Sequence, residues 1–119
     1  MREGMRKGDD AVLVRIYIGE LDRYHGKSLW EVILKKAREM GLAGCTVLHG
    51  VAGFGAASHL HTSKVLRLSE DLPVLIEIVD RQDKIDEIMS FLDEAVTDGL
   101  ITTEKVKIVK YVHSRGNKA

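Results

Sequence analysis

The feature that most constrains the fold is the order in which strand-like and helix-like spacings of apolar residues alternate along the 119 residues of the chain. Apolar residues recur at every second position in four segments, as in β-strands, and at every third or fourth position in two others, as in amphipathic helices. The segments follow as strand, helix, strand, strand, helix, strand. This order predicts a ferredoxin-like α+β domain, in which both helices cover one face of a four-stranded antiparallel sheet.

Four segments show the strand period. They cover about residues 12–18, 45–51, 74–79 and 106–112. Pro73 precedes the third segment, and proline is tolerated at the first position of a strand because its missing N–H then removes no ladder bond. We therefore expect four strands that pair into one sheet.

Two segments show the helical period. The first opens at a Ser-x-x-Glu capping box formed by Ser28 and Glu31, and it ends at Gly41. The second carries apolar residues between positions 85 and 96 and ends at Gly99. Both segments are amphipathic, so each helix is expected to bury one face against the sheet.

Length and composition indicate one domain with a core of its own. We expect residues 1–10 to be a flexible extension, residues 11–113 the domain and residues 114–119 a tail. Basic and acidic side chains balance at 18 each, so no net field attracts nucleic acid and no nucleic-acid partner is expected. A single cysteine, with no signal-peptide core and no membrane-length apolar run, favours a cytoplasmic location.

The strand period also places large apolar residues on the sheet face that the helices leave open. These residues are Leu13, Tyr17, Leu75, Val79, Val109 and Tyr111. An apolar patch of this size is rarely left in water, so we expect self-association to bury it, with scattered surface apolar residues as the alternative. Arg15 shares this face, and Glu77 on the third strand is its expected counter-charge, with a structural role.

The connection between the second and third strands concentrates the candidate binding groups. Glycines at positions 50, 53 and 55 allow backbone angles and a close ligand approach that a Cβ would prevent. His59, His61 and Lys64 follow, and they supply hydrogen-bond donors and a positive charge. Lys105, near the last strand, could neutralise phosphate at a subunit cleft. Connections of this length are usually either functional or disordered, and the candidate binding groups favour a ligand loop.

Motifs in and around this loop resemble those of the PII signal-transduction proteins. Gly44-x-Thr46-Val47, followed by Gly53-Phe54-Gly55, is similar to the start of their second strand and the base of their long mobile loop. The pattern continues with His-x-His-Thr after the glycines, Asp-Leu-Pro-Val before the third strand and Ile-Val-Asp at its end. Over residues 11–112 the chain is similar to one uncharacterised PII-like family.

The resemblance implies a function as well as a fold. PII-like proteins are typically homotrimers that bind adenine nucleotides between subunits, and their mobile loop reports the ligand to a partner. On this basis Gly53, Phe54 and Gly55 are expected to bind a small effector, and the loop at 52–66 to signal to a partner protein. The resemblance makes a membrane transport protein the candidate partner, and it implies a regulator rather than an enzyme.

The chain departs from the PII pattern in two places. Ala56 and Ala57 follow the Gly-Phe-Gly, where PII proteins have a glutamine that contacts the nucleotide. The Gly-Asp-Gly-Lys phosphate loop of PII proteins is replaced by a stretch with one glycine, Gly99, and the displaced Lys105. These residues cannot form the same array of backbone amides. The sequence therefore leaves two candidate ligands, a nucleotide with fewer phosphates than ATP or another anion.

A second interpretation is a divalent-metal site. His59 and His61 would project from one face of an extended segment, and His49 lies close in sequence. Another trimeric ferredoxin-like group with the PII architecture is linked to divalent cations, so metal binding or metal tolerance is the rival function. A subunit that only assembles, without a ligand, is the third interpretation. Cys45 is expected to be a small buried hydrophobe rather than a nucleophile.

Overall fold

The structure is a computed structural model that describes residues 4–55 and 71–113. Its strands are β1 (Asp10–Gly19), β2 (Arg23–Tyr24), β3 (Lys27–Ser28), β4 (Gly44–His49), β5 (Pro73–Asp80) and β6 (Leu100–Lys107), and its helices are α1 (Leu29–Glu39) and α2 (Gln82–Ala95). Apart from the short hairpin of β2 and β3, which the sequence did not indicate, these elements follow the predicted order.

Four strands form one antiparallel sheet in the order β4-β5-β1-β6. β1 lies at the centre, where Val12 is opposite Asp80 of β5 and Lys105 of β6. α1 and α2 contribute to one apolar core with alternate residues of β1 and β5. The predicted ferredoxin-like α+β fold is therefore confirmed.

The core lies between the helices and one face of the sheet. The strand residues that point into it are Val12, Val14, Ile16, Ile18, Val74, Ile76 and Ile78, all of them buried. Ile33 of α1 and Ile88 of α2 are fully buried against them. Burial of such a side chain contributes about 1.5–3 kcal/mol, so this interface supplies most of the apolar stabilisation of the fold.

Two charged side chains are buried in the part of the chain that the structure describes, and both have hydrogen-bond partners. Asp80 accepts from the backbone N–H groups of Ala43 at 2.9 Å and of Arg81 at 2.7 Å. Lys84 donates from Nζ to the carbonyl oxygen of Met40. These bonds satisfy the buried charges, and they join the turn after α1 to the start of α2.

The sheet face opposite the helices, called the open face below, carries alternate residues of all four long strands. Leu13, Leu75 and Val79 are half-buried there, while Tyr17 remains 41% exposed. The predicted counter-charge is confirmed, because Arg15 Nε donates to Glu77 Oε2 at 3.1 Å. The open face is thus apolar with an ion pair near its centre.

The predicted position of the last strand is wrong. β6 covers Leu100–Lys107 instead of residues 106–112, because it pairs with β1, which extends only to Asp10 opposite Lys107. Val109 and Tyr111 therefore lie beyond the strand and do not line the open face through strand pairing. β6 was missed because its polar residues hide the strand period, although its threonines favour extended backbone.

Three boundaries also differ from the predictions. Met5 is buried and packs with Ala11 and Ile108, so residues 1–10 are not entirely a loose extension. α2 ends at Ala95, before Gly99, and β4 ends at His49, before position 51.

The sequence predicts the start of α1 at the correct residue, but the predicted capping hydrogen bond is not formed. Ser28 is the N-cap of α1, yet its side chain makes no capping hydrogen bond, because β3 holds this residue in the hairpin with β2. The extended backbone of the hairpin therefore sets the start of the helix. The capping box contributes less than its motif suggests.

Candidate functional site

The base of the β4–β5 loop is held by close contact with Pro73. The N–H of Gly50 donates to the carbonyl oxygen of Pro73 at 2.7 Å, which continues the sheet by one bond beyond β4. A Cβ at Gly50 would lie 2.7 Å from Pro73 Cγ, so any other residue would collide with the proline ring. This position needs glycine because of close packing.

Gly53 combines a backbone requirement with a second contact to the same ring. Its φ is 154°, a value that L side chains rarely adopt, and a Cβ there would lie 3.1 Å from Pro73 Cγ. The backbone at both glycines therefore lies close to the ring of Pro73, the first residue of β5. The predicted site residues Gly53, Phe54 and Gly55 follow one another on this fixed backbone.

Phe54 is an exposed aromatic side chain at the end of that fixed backbone. It is 77% exposed, and Val51 beside it is 86% exposed. Aromatic side chains of this size usually bury most of their surface. The loop base thus presents apolar surface that residues 4–55 and 71–113 of the same chain do not cover.

Acidic side chains surround the adjoining end of the sheet. Asp71 Oδ1 accepts from the N–H of Leu21 at 2.9 Å, and Asp22 Oδ2 accepts from the N–H of Gly19 at 3.0 Å. Burial raises the pKa of Asp22, and the charges of Asp71 and Asp98 raise it further, against the opposing hydrogen bond from Gly19. The carboxylates of residues 22, 71 and 98 are therefore close enough to interact at this end of the sheet.

His49, the last residue of β4, makes contacts that the sequence did not reveal. Its Nδ1 lies 2.6 Å from Glu20 Oε1, and its ring meets Trp30 edge-on with the centroids 5.1 Å apart. Glu20 follows β1 and Trp30 lies in α1, so the contact joins three elements beside Gly50. No sequence spacing could have paired residues 29 positions apart.

The remaining predicted site residues do not all lie at the loop base. His59, His61 and Lys64 lie outside the described residues. Lys105 is on β6 and lines a groove of about 460 Å³ beside α2, together with Gln82 and Asp86. It is opposite Val12, whereas the loop base adjoins Gly19, seven residues further along β1. At a rise of about 3.3 Å per residue, roughly 20 Å separate them along the strand.

The described residues give no support to the metal interpretation. Among residues 4–55 and 71–113 no three His, Cys, Asp or Glu side chains are grouped so that they could hold a metal ion. His49, one of the three predicted metal ligands, has its Nδ1 bonded to Glu20, and the other two lie outside the described residues. Burial raises the pKa of Cys45, which agrees with its interpretation as a small hydrophobe rather than a reactive thiolate.

The sheet order and the glycine-built loop base together define a PII-like fold. CPII of Thiomonas intermedia, in a structure with ADP and bicarbonate, is similar with a TM-score of 0.63 at 11% identity, over 89% of this chain and 95% of CPII. A Thermus thermophilus protein described as PII-like has a TM-score of 0.59 at 17% identity, over 94% of this chain and 97% of that protein.

The sequence comparisons then give the family. The chain belongs to the DUF190 family, described as "Uncharacterized ACR", whose profile matches residues 11–108. It is 36% identical over 99 residues to a UPF0166 protein of Aquifex aeolicus, covering 82% of this chain and 91% of that protein. A UPF0166 protein of Methanocaldococcus jannaschii is 32% identical over 101 residues, covering 84% and 93%. Membership of an uncharacterised PII-like family, expected from the motifs, is confirmed.

The helices give one further observation. Within the described residues, none of them is both long and apolar enough to span a membrane.

Proposed function

We propose that the chain is a non-enzymatic regulatory protein that binds an adenine nucleotide between the subunits of a homotrimer. The bound nucleotide favours one arrangement of the loop at 52–66 and so changes the affinity for a partner protein. A membrane transport protein is the candidate partner by analogy with PII-like regulators. The observation that carries the proposal is the exposed Phe54 on a loop base that is fixed against Pro73.

A fixed backbone that presents an aromatic ring suits the binding of a flat base. Stacking of a nucleobase on an aromatic side chain contributes about 1–3 kcal/mol, and it costs little entropy where the backbone is already ordered. The hydrogen bond from Gly50 to Pro73, and the close approach of Gly53 to the same ring, supply that order. A second subunit would enclose the ring, since 77% of Phe54 is exposed in the single chain.

Ligands of structural neighbours support the choice of nucleotide. CPII is known in one structure with ADP and bicarbonate and in another with ADP, AMP and acetate, and the second has a TM-score of 0.58 to this chain. Both structures show an adenine nucleotide bound by a protein of this fold. We therefore expect the same class of effector here.

The charges near the loop base favour a nucleotide with few phosphates. Asp22 lies close enough to Asp71 and Asp98 for their charges to raise its pKa. Carboxylates at this end of the sheet repel phosphate oxygens, and the chain has no Gly-Asp-Gly-Lys loop to offset the repulsion. We propose ADP or AMP, rather than ATP, as the tighter ligand.

Calorimetric titration of the purified chain with ATP, ADP, AMP and cyclic AMP, each with and without magnesium, tests the proposal. The expected result is saturable binding of about one nucleotide per chain, as a symmetric assembly requires, with ADP or AMP tighter than ATP. Absence of heat with all four nucleotides would refute the nucleotide site.

Loop signalling needs a separate measurement. Limited proteolysis, with cleavage sites assigned by mass spectrometry, should show that the bound nucleotide changes the cleavage rate within residues 52–66. Cleavage in the C-terminal tail, residues 114–119, serves as the internal control and should be unaffected. An unchanged rate in the loop under saturating nucleotide would refute signalling through the loop but not binding.

A further inference from the structure

A row of polar side chains crosses the open face of the sheet at one level. Thr46 of β4 is opposite Glu77 of β5, Glu77 is opposite Arg15 of β1, and Arg15 is opposite Thr102 of β6. One polar residue from each long strand therefore lies in a line perpendicular to the strands. We call these four residues the polar row.

The levels on either side of the polar row are mainly apolar. One neighbouring level consists of Leu48, Leu75, Tyr17 and Leu100, and the other of Gly44, Val79, Leu13 and Glu104. Leu48 is 49% exposed and Leu100 56% exposed, so the first level offers apolar surface across the sheet. The open face is thus an apolar surface divided by one polar line.

The polar row carries one charge of each sign, and Glu104 of the neighbouring level adds a second carboxylate. Arg15 Nε donates to Glu77 Oε2 at 3.1 Å, and its Nη1 donates to Glu104 Oε1 at 2.6 Å. The carboxylates of Glu104 and Glu77 raise the pKa of the Arg15 guanidinium, a group that is always charged in proteins. Two of its five N–H groups are bonded to these carboxylates, which leaves further donors for a second molecule.

A second copy of this chain is the partner that fits this face. A surface with one cation between two carboxylates is complementary to a rotated copy of itself, since the spare guanidinium donors of one copy can meet the excess carboxylate of another. A displacement by one level would place these charges against the apolar level of the neighbouring copy. Such a displacement leaves buried charges unpaired, which is strongly unfavourable.

Resting on the assembly in the proposed function, we propose that the polar row sets the register in which copies of this chain associate through their open faces. Arg15 is the central positioning residue, and Glu77 and Glu104 hold its guanidinium in place. The apolar levels supply the driving force of association, and the row selects one alignment. A single buried polar position has the same effect on register in coiled coils.

Light scattering and native mass spectrometry of the purified chain test the inference. Arg15→Glu places a third carboxylate beside Glu77 and Glu104, so we expect the assembly to dissociate to single chains at concentrations where the unmodified chain is assembled. Arg23→Glu, at an exposed arginine of β2, is the matched control and should keep the assembled mass. Circular dichroism verifies that both variants are folded.

A milder variant keeps the inference testable if Arg15→Glu does not fold. Arg15→Met keeps an apolar side chain but leaves the carboxylates of Glu77 and Glu104 without their cation, so we expect weaker association, mixed masses and faster subunit exchange. A single mass with unchanged exchange for Arg15→Met, or an unchanged assembled mass for folded Arg15→Glu, would overturn the inference.

The possible results also separate this inference from the proposed function. An unmodified chain that is monomeric would overturn both the register inference and the intersubunit site. An assembly that tolerates the Arg15 variants and still binds nucleotide would overturn the inference alone. An assembly that follows the Arg15 predictions but binds no nucleotide would refute the nucleotide function alone.

Discussion

At the scale of single residues, Val51 and Phe54 provide a matched pair of exposed apolar side chains. Both lie on the loop base, with 86% and 77% of their surface exposed. Only Phe54 directly follows Gly53, the glycine with a φ of 154° beside Pro73. Phe54→Ala should weaken nucleotide binding roughly tenfold, which corresponds to about 1.4 kcal/mol. Calorimetric titration measures the change.

Val51→Ala is the control for this substitution. It removes a comparable exposed side chain from the same segment, so its affinity for nucleotide should stay within about twofold of the unmodified chain, a difference below about 0.5 kcal/mol. Equal losses for both variants would show that Phe54 has no specific role and that the whole loop base contributes only general apolar contact.

Asp22 gives a second prediction at this scale, because burial and the nearby carboxylates of Asp71 and Asp98 raise its pKa above 3.8. The folded state therefore binds the Asp22 proton more tightly than the unfolded state does. Stability is lost as pH rises from 3.8 through the folded pKa, and the full cost persists above it. Asp22→Asn should remove this cost but keep an acceptor for the N–H of Gly19.

Chemical denaturation of both proteins at several pH values measures the effect. Near neutral pH we expect Asp22→Asn to be more stable by less than about 1 kcal/mol, since the group is only half-buried and solvent screens the interaction. The difference should disappear below the unfolded pKa of 3.8. A difference that grows as the pH falls would contradict the assigned direction.

At the scale of the elements, α1 tests how far burial on one face determines stability. Ile33 is fully buried against the sheet, whereas its neighbour Leu34 is 36% exposed. Ile33→Ala should lower the free energy of unfolding by about 3 kcal/mol, because it leaves a cavity in a packed core. Leu34→Ala should cost about 1 kcal/mol or less. Urea denaturation of the two variants gives the comparison, and similar losses would contradict the assigned helix orientation.

The strands show where a periodic sequence is informative and where it is not. β1 and β5 alternate apolar residues toward the core, so their positions could be predicted closely. β6 lies at the sheet edge, where Thr102 and Glu104 face outward. Its apolar content is too low for the strand to be predicted from its apolar spacing. The strand period favours the more apolar segment after it, although β1 offers no further partner there.

At the scale of the whole molecule, the distance between Phe54 and Lys105 predicts how the site is assembled. Within one chain they lie at opposite ends of the sheet, so they could serve one ligand only from neighbouring subunits. Phe54→Ala and Lys105→Ala should each weaken nucleotide binding. Co-assembly of the two variants in equal amounts should restore full affinity at about one quarter of the sites, since each half of a site is unmodified with a probability of one half.

A mixture of Gly53→Ala and Phe54→Ala is the control for this experiment. Both substitutions lie on the same loop base, so every site in the mixed assembly keeps one defective half and no full-affinity site should appear. Calorimetric titration after the subunits are refolded together measures the restored fraction. Absence of restoration in the Phe54 and Lys105 mixture would contradict a site that combines these two residues across the interface.

The sequence by itself determined the α+β class, the order of the main elements, the core positions and the glycines of the loop base. These features depend on local periodicity and on glycine, which permits backbone angles and close approaches that other residues cannot adopt. The pairing of Arg15 with Glu77 could also be predicted, because the alternation of side chains along each strand places both residues on the open face.

The tertiary structure alone decided which strands are neighbours and which distant residues meet. Sheet pairing placed β6 at Leu100–Lys107, added Glu104 to the Arg15 ion pair and brought His49 to Glu20. Contacts between residues far apart in sequence depend on strand order and register, and no local pattern encodes these two properties. The residues of the loop base and of the polar row can therefore be identified in the sequence, but only the fold shows which other residues they contact.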